Sequence, residues 1–86
     1  MPKTVFSGAA QDALVETLTD ARRRAGLTQA QLAAKVGKDQ SYVSIVERSQ
    51  RRVDVLEFCM LAKAMGADPV ELFADVVRKL PPHFSI

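Results

Sequence analysis

The chemistry available to this 86-residue chain is written in its cations and amides. Between residues 22 and 52 lie eight Lys/Arg (Arg22, Arg23, Arg24, Lys35, Lys38, Arg48, Arg51 and Arg52) and two acids, Asp39 and Glu47, a local balance of +6. The rest of the chain carries four Lys/Arg and eight acids, a balance of −4, which leaves a net charge of +2. A basic middle between acidic ends suits one face to a polyanion and the other faces to something else. Within the basic stretch, Gln40, Ser41, Ser44 and Ile45 fall on one side of a short helical pattern, away from Val43 and Val46. Polar and small side chains flanked by cations suit recognition better than bond-making. Bond-making chemistry has no visible apparatus. Cys59 and His83 are the single members of their types, so no Cys/His cluster offers a metal site. No Ser-His-Asp arrangement and no glycine-rich phosphate loop is present. An enzyme, a cofactor, a metal site and a small-molecule substrate are therefore not expected.

The elements that must position those residues are short helices. Thr28 with Gln31 forms a T-x-x-Q capping box at the start of a helix over 29–36, with Leu32, Ala33 and Val36 on its apolar face. Gly37 ends that helix, because glycine enters the left-handed C′ conformation without a Cβ penalty. Asp39 is placed to cap a second helix over 40–48. Two helices joined by so sharp a turn, with small Ala33 allowing close approach, make a helix-turn-helix over 28–48. The second helix is the one such a motif offers to the DNA major groove.

Three more helices frame the pair. A helix over 9–25, with Ser7 as its expected cap, places Leu14, Leu18, Ala21 and Ala25 on one stripe. Arg22, Arg23 and Arg24 in its last turn suit the macrodipole, and Gly26 ends it. Asp54 and Glu57 form a reciprocal cap for a fourth helix that runs to Gly66. Leu56, Met60 and Ala64, with Val55, Cys59 and Leu61 alongside, make it apolar over a wide arc, so it reads as the central core helix. Asp68-Pro69-Val70-Glu71 is the strongest helix start in the chain. From it Val70, Phe73, Val77 and Leu80 form one stripe, widened by Leu72 and Val76, until Pro81-Pro82 stops the helix. The expected organisation is a flexible arm over 1–8, one all-α five-helix domain over 9–80, and a tail over 81–86. No apolar run approaches the roughly 18 residues of a membrane span, and no secretory segment is visible, so a cytoplasmic location is expected.

The segments 21–37 (ARRRAGLTQAQLAAKVG), 40–48 (QSYVSIVER), 51–58 (RRVDVLEF) and 61–73 (LAKAMGADPVELF) resemble the lambda-repressor/Cro-like, or xenobiotic-response-element-like, helix-turn-helix family. The likeness covers roughly residues 10 to 75. It implies a compact all-α DNA-binding domain and a role for each matching position. Gln40 and Ser41 match positions that read base edges, and a glutamine amide can bond adenine N6 and N7 together. Ser44 and Ile45 would complete that surface, with Ile45 packing on a thymine methyl group. Gln29 matches a phosphate contact that often bonds to the glutamine opening the next helix. Arg48, Arg51 and Arg52 match phosphate-contacting positions, and Thr28, Lys38 and Tyr42 are assigned to the same task. Arg22 and Glu47 match a structural ion pair that ties the first helix to the third.

Two positions depart from the family pattern. Lys38 stands in the turn where an aliphatic residue is frequent, and a lysine stem can cover apolar surface while its head reaches phosphate. Ser49 stands where glycine commonly follows the third helix. If the loop needs positive φ there, serine is strained.

The resemblance implies a sequence-specific transcriptional regulator acting on double-stranded DNA, a repressor in form, and a homodimer. Phe73, Val77, Leu80, Phe84 and Ile86 form the expected dimer surface. A second reading is an antitoxin-type protein, with the same DNA-binding fold and a protein partner on its acidic, apolar ends. A protein-interaction module that has lost DNA binding is a third.

Overall fold

In the computed structural model, which describes residues 8–86, five helices follow one another: α1 (Ala9–Arg24), α2 (Gln29–Lys35), α3 (Gln40–Glu47), α4 (Val55–Ala64) and α5 (Pro69–Lys79). The described residues contain no strand. Local sequence accounts for most of the boundaries. The Thr28/Gln31 and Asp54/Glu57 capping boxes are both formed, and the Asp68 side chain accepts from the Val70 amide ahead of Pro69. Asp39 occupies the N-cap of α3 as expected, but its side chain makes no capping hydrogen bond. The expected arm over 1–8, apart from Gly8, and the Ser7 cap lie outside the described residues. Gly8 holds the N-cap position of α1.

Four helices end in the same way. At the ends of α1, α2, α3 and α4 the second residue past the cap donates its amide five residues back: Leu27 to Arg22, Lys38 to Ala33, Gln50 to Ile45 and Ala67 to Ala62, at 2.9–3.2 Å. This is the Schellman geometry, and it demands a left-handed residue just before that donor. Glycine supplies it at 26, 37 and 66; at the end of α3 Ser49 supplies it with φ +58°. The α3–α4 loop thus begins as the other three connections do, but with a residue whose Cβ opposes that conformation.

Leu18 and Ala21 from α1, Leu32 and Ala33 from α2, and Tyr42, Val43 and Val46 from α3 meet Phe58, Leu61, Ala62 and Met65 from the α4 end of the molecule. Leu72 and Val76 of α5 close that core. Two apolar assignments change. Leu56 and Val55, expected in the core, are 79% and 74% exposed. On α5 the expected main stripe lies outward, with Val70, Phe73 and Val77 exposed, while Leu72 and Val76 are buried. The reason is the same in both helices. Each is apolar through more than half its circumference, so periodicity alone cannot say which arc faces inward; α1, α2 and their mutual packing decide it. Ala25 is likewise the exposed C-cap of α1 and not part of its packed stripe. Cys59 is half-buried.

Among the described residues no helix is long and apolar enough to cross a membrane, and no group of His, Cys, Asp and Glu could hold a metal ion. The gap bounded by Leu18, Leu32, Tyr42, Val43, Val46, Glu47, Leu61 and Met65 measures about 10 Å³, room for one water at most.

Ser49 is where the backbone is strained. Ser49→Gly should raise stability by about 0.5–1 kcal/mol, since glycine removes the left-handed penalty at some cost in unfolded-chain entropy. A thermal melt should show a rise of about 2–8 °C for a domain this small. An unchanged or lower midpoint would mean that the serine side chain stabilises the loop.

Candidate nucleic-acid interface

α3 turns Tyr42, Val43 and Val46 into the core and leaves Gln40, Ser41 and Arg48 exposed, with Ser44 and Ile45 half-exposed beside them. One face of this helix is therefore glutamine, two serines, an isoleucine and an arginine. α2 lies against it and contributes Thr28 and Gln29 at its own N-terminus.

That face is held by a chain of hydrogen bonds that starts in the protein interior. Arg22, 9% exposed, donates from Nε to Glu47 Oε2 at 2.7 Å and from Nη2 to Glu47 Oε1 at 3.0 Å. Its Nη1 donates to the Leu27 carbonyl at 2.8 Å. The Glu47 hydrogen bond holds the guanidinium further toward its charged form, against the opposing effect of burial. Gln29 Nε2 donates to Glu47 Oε1 at 3.0 Å, and Gln40 Nε2 donates to Gln29 Oε1 at 3.3 Å. The direction of the chain follows from its first member. A carboxylate only accepts, so Gln29 must present its amide nitrogen to Glu47 and its oxygen outward. Gln40 must then present its nitrogen to Gln29, which leaves its oxygen and one remaining N–H free. An interior ion pair thereby fixes which way a surface amide faces.

A second carboxylate organises the other end of α3. Glu57 Oε2 accepts from the Tyr42 hydroxyl at 3.0 Å, and Oε1 accepts from Arg51 Nη1 at 2.9 Å and from the Asp54 amide at 3.1 Å. Arg51 Nη2 lies 2.7 Å from Glu57 Oε2. The Arg51 hydrogen bond, ahead of the Asp54 amide and the Tyr42 hydroxyl, holds the Glu57 carboxyl below the usual carboxylate range. The same bond raises the Arg51 pKa. Burial first, and then the bond to Glu57, push the Tyr42 hydroxyl up to about 12. Two cations sit over the Tyr42 ring: Lys38 Nζ at 5.5 Å and the Arg51 guanidinium carbon at 5.1 Å from its centroid, both within cation–π range.

The expected roles divide accordingly. Gln29 and Gln40 are joined. Ser41, Ser44 and Ile45 share the outer face of α3 with Gln40 and Arg48. Tyr42, assigned to phosphate, turns inward instead: its ring is 8% exposed and its hydroxyl is taken by Glu57. It carries Lys38 and Arg51 and makes no polar contact of its own at the surface. Glu57 itself was missed. Sequence reasoning marks it only as a capping residue, and no local spacing rule connects it with Tyr42, fifteen positions earlier.

Comparison with known proteins fits this geometry. A family model described as a helix-turn-helix domain matches residues 13–74. An XRE-family like protein from Pseudomonas syringae pv. tomato is 41% identical, with a TM-score of 0.78 over 85% of this chain and 89% of that one. The chain belongs to the XRE-type helix-turn-helix family of transcriptional regulators. Other relatives of this XRE protein extend the picture. The restriction-modification controller protein C.AhdI from Aeromonas hydrophila is 39% identical over 77% of this chain and 100% of its own, with a TM-score of 0.69. The HTH-type transcriptional regulator y4dJ of Sinorhizobium fredii is 43% identical over 51 residues, 59% of this chain and 66% of that relative, so the match leaves a third of it uncovered. The controller protein C.Esp1396I, solved as a tetramer on its natural 35 base-pair operator, shares the fold at 22% identity and a TM-score of 0.76.

Two outcomes follow for folding. Glu47→Ala should cost about 3–5 kcal/mol in denaturant unfolding, because it leaves the Arg22 guanidinium buried without its anion; a loss under 1 kcal/mol would mean that water reaches Arg22 freely. Tyr42→Phe should cost about 1 kcal/mol at neutral pH and change the alkaline limb. A hydroxyl whose folded value is raised from 10.0 to about 12 stabilises the fold fully below pH 10, and that contribution is lost as pH rises through 12. The wild-type stability profile should therefore fall between those values and the Tyr42→Phe profile should be flatter there. Parallel profiles would show that Tyr42 does not titrate late.

Proposed function

We propose that this XRE protein is a dimeric, sequence-specific DNA-binding repressor that lays α3 in the major groove of a near-palindromic operator. The observation that carries the reading is the amide relay ending at Gln40. With one Nε2 hydrogen given to Gln29, the exposed Gln40 keeps an oxygen and an N–H for another partner. These two groups match the N6 donor and N7 acceptor of adenine. Ser41 and Ser44 share its face of α3 and would bond base edges, and Ile45 would pack on a thymine methyl group. Thr28, Gln29, Lys38, Arg48, Arg51 and Arg52 surround this face and would take phosphates, setting affinity and register without reading sequence.

The dimer surface in this reading is the outer arc of α5. Val70, Phe73, Val77 and Leu80 recur at spacings of three, four and three, the a/d spacing of helices that pack on one another. Phe73 is steadied edge-on by Phe58, with ring centroids 5.8 Å apart. Exposed Val55, Leu56, Phe84 and Ile86 add to the apolar area outside the basic segment. A two-fold dimer of such domains meets two half-sites about 34 Å apart. The protein so described acts in the cytoplasm, without cofactor and without catalysis.

Selection of bound duplexes from a random pool at near-physiological salt tests the reading; an enriched inverted repeat is expected. On the selected site Gln40→Ala should cost about 1–3 kcal/mol and relax preference at one position, while Arg48→Ala should weaken all sequences alike and lower the salt slope by about one. Equal losses on selected and random DNA for Gln40→Ala would remove the base-reading role. No enrichment at all would move the function to a protein partner of the antitoxin type.

A further inference from the structure

The guanidinium of Arg51 is held in one orientation by its neighbours. Its Nη1 donates to Glu57 Oε1 at 2.9 Å, and its Nη2 lies in ion-pair contact with Oε2 at 2.7 Å. The second Nη1 hydrogen goes to the Arg52 carbonyl at 2.7 Å. The guanidinium carbon lies over the Tyr42 ring, 5.1 Å from the centroid, and Tyr42 is itself hydrogen-bonded to Glu57. Arginine has five N–H donors in a rigid fork. Both Nη1 hydrogens are used here and Nη2 faces Glu57 Oε2, which leaves Nε–H and the outer Nη2–H. Those two share one edge of the fork, the edge that grips a phosphate in side-on, bidentate fashion.

We infer that Glu57, an acid on α4, is a positioning residue for nucleic-acid binding: it orients Arg51 so that the free edge of the guanidinium takes a backbone phosphate in two hydrogen bonds. The inference rests on the DNA-binding reading above and adds to it a residue whose charge has the wrong sign for direct contact. A carboxylate close to a phosphate site repels the phosphate by itself. Its benefit is conformational. An arginine on a loop otherwise loses its rotamer freedom at the moment of binding, and pre-fixing it removes that cost from the binding step. The Asp54 amide and the Tyr42 hydroxyl hold Glu57 in turn, so the orientation of Arg51 is set by α3 and α4 together. The Ser49 turn and the Arg52 carbonyl fix the loop between them.

The two effects of Glu57 predict opposite signs. Glu57→Gln is the informative variant, because glutamine at N3 keeps the capping box of α4 through its one oxygen, and its amide nitrogen can donate to the Tyr42 hydroxyl in place of accepting from it. It removes one negative charge. If charge alone mattered, the variant would bind DNA more tightly. If Glu57 positions Arg51, it should bind about 2–10-fold more weakly despite its higher net charge. The probe is a random-sequence duplex at low salt, where phosphate contacts dominate and base reading does not enter. Arg51→Ala and the Arg51→Ala/Glu57→Gln double variant complete the cycle. Weaker binding by Glu57→Gln alone, with no further loss when it is added to Arg51→Ala, is expected. Binding by Glu57→Gln as tight as wild type or tighter, with an unchanged melting profile, overturns the inference; so does an equal loss in both backgrounds. Absence of any duplex binding by the wild-type protein would instead remove the DNA-binding reading itself.

Discussion

A buried arginine and a half-buried glutamate hold this molecule's working face in place. Burial of Arg22 is tolerable only because Glu47 meets it with two charge-assisted hydrogen bonds and the Leu27 carbonyl takes a third. The pair joins the end of α1 to the end of α3, and the Leu27 contact adds the loop that leads into α2. Three helices are therefore referred to one point. An apolar contact of the same size would hold them together as well, but it would not assign a direction. Glu47 can only accept, and that restriction passes through Gln29 to Gln40 at the surface. The orientation of the outermost amide is in this sense a property of the interior.

Glu57 repeats the device at the other end of α3, with a different balance. Its partners Arg51 and Tyr42 are drawn from the loop and from the helix face, and its side chain is more open to solvent than a core residue's. Exposed ion pairs stabilise little, so the stability effect of this cluster rests mainly on the burial of Tyr42 and on its hydroxyl's bond. Its larger effect is geometric. Tyr42 carries one cation from the turn before α3 and one from the loop after it. The two carboxylates thus bracket α3: one fixes an amide at its beginning, and the other fixes cations at its flanks.

The helix ends explain why so short a chain can hold this arrangement. Four successive Schellman turns end α1 to α4, with connections of four to seven residues, and satisfy carbonyls in the last turn of each helix. Short connections keep α2 and α3 close enough for Gln29 and Gln40 to meet. Ser49 shows that the loop geometry outranks the local preference of its residue: serine adopts φ +58° because its neighbours' hydrogen bonds require it. Thr17, buried on α1, accepts from Lys79 at 3.0 Å and ties the end of α5 back to the first helix.

What sequence alone determined was local. Caps, glycine stops and the Pro69 start are interactions between residues two to five apart, so five helices and their limits could be read from composition and spacing. The segregated charge of residues 22–52 points to a polyanion, and the likeness to a known family brings forward two pairs, Arg22 with Glu47 and Gln29 with Gln40; the bond from Gln29 to Glu47 that joins them comes from the structure. Tertiary structure decided what depended on direction. α4 and α5 are apolar on both sides, and only their packing against α1 and α2 shows that Phe58, Leu72 and Val76 face inward while Leu56, Phe73 and Val77 face out. Tyr42 is equally suited by composition to a surface or to a core; Glu57, brought beside it by the α3–α4 turn, gives its hydroxyl a part-buried partner, and the ring turns inward. Long-range polar contacts of this kind leave no periodic trace in a sequence, because the two residues share no helix face and no turn.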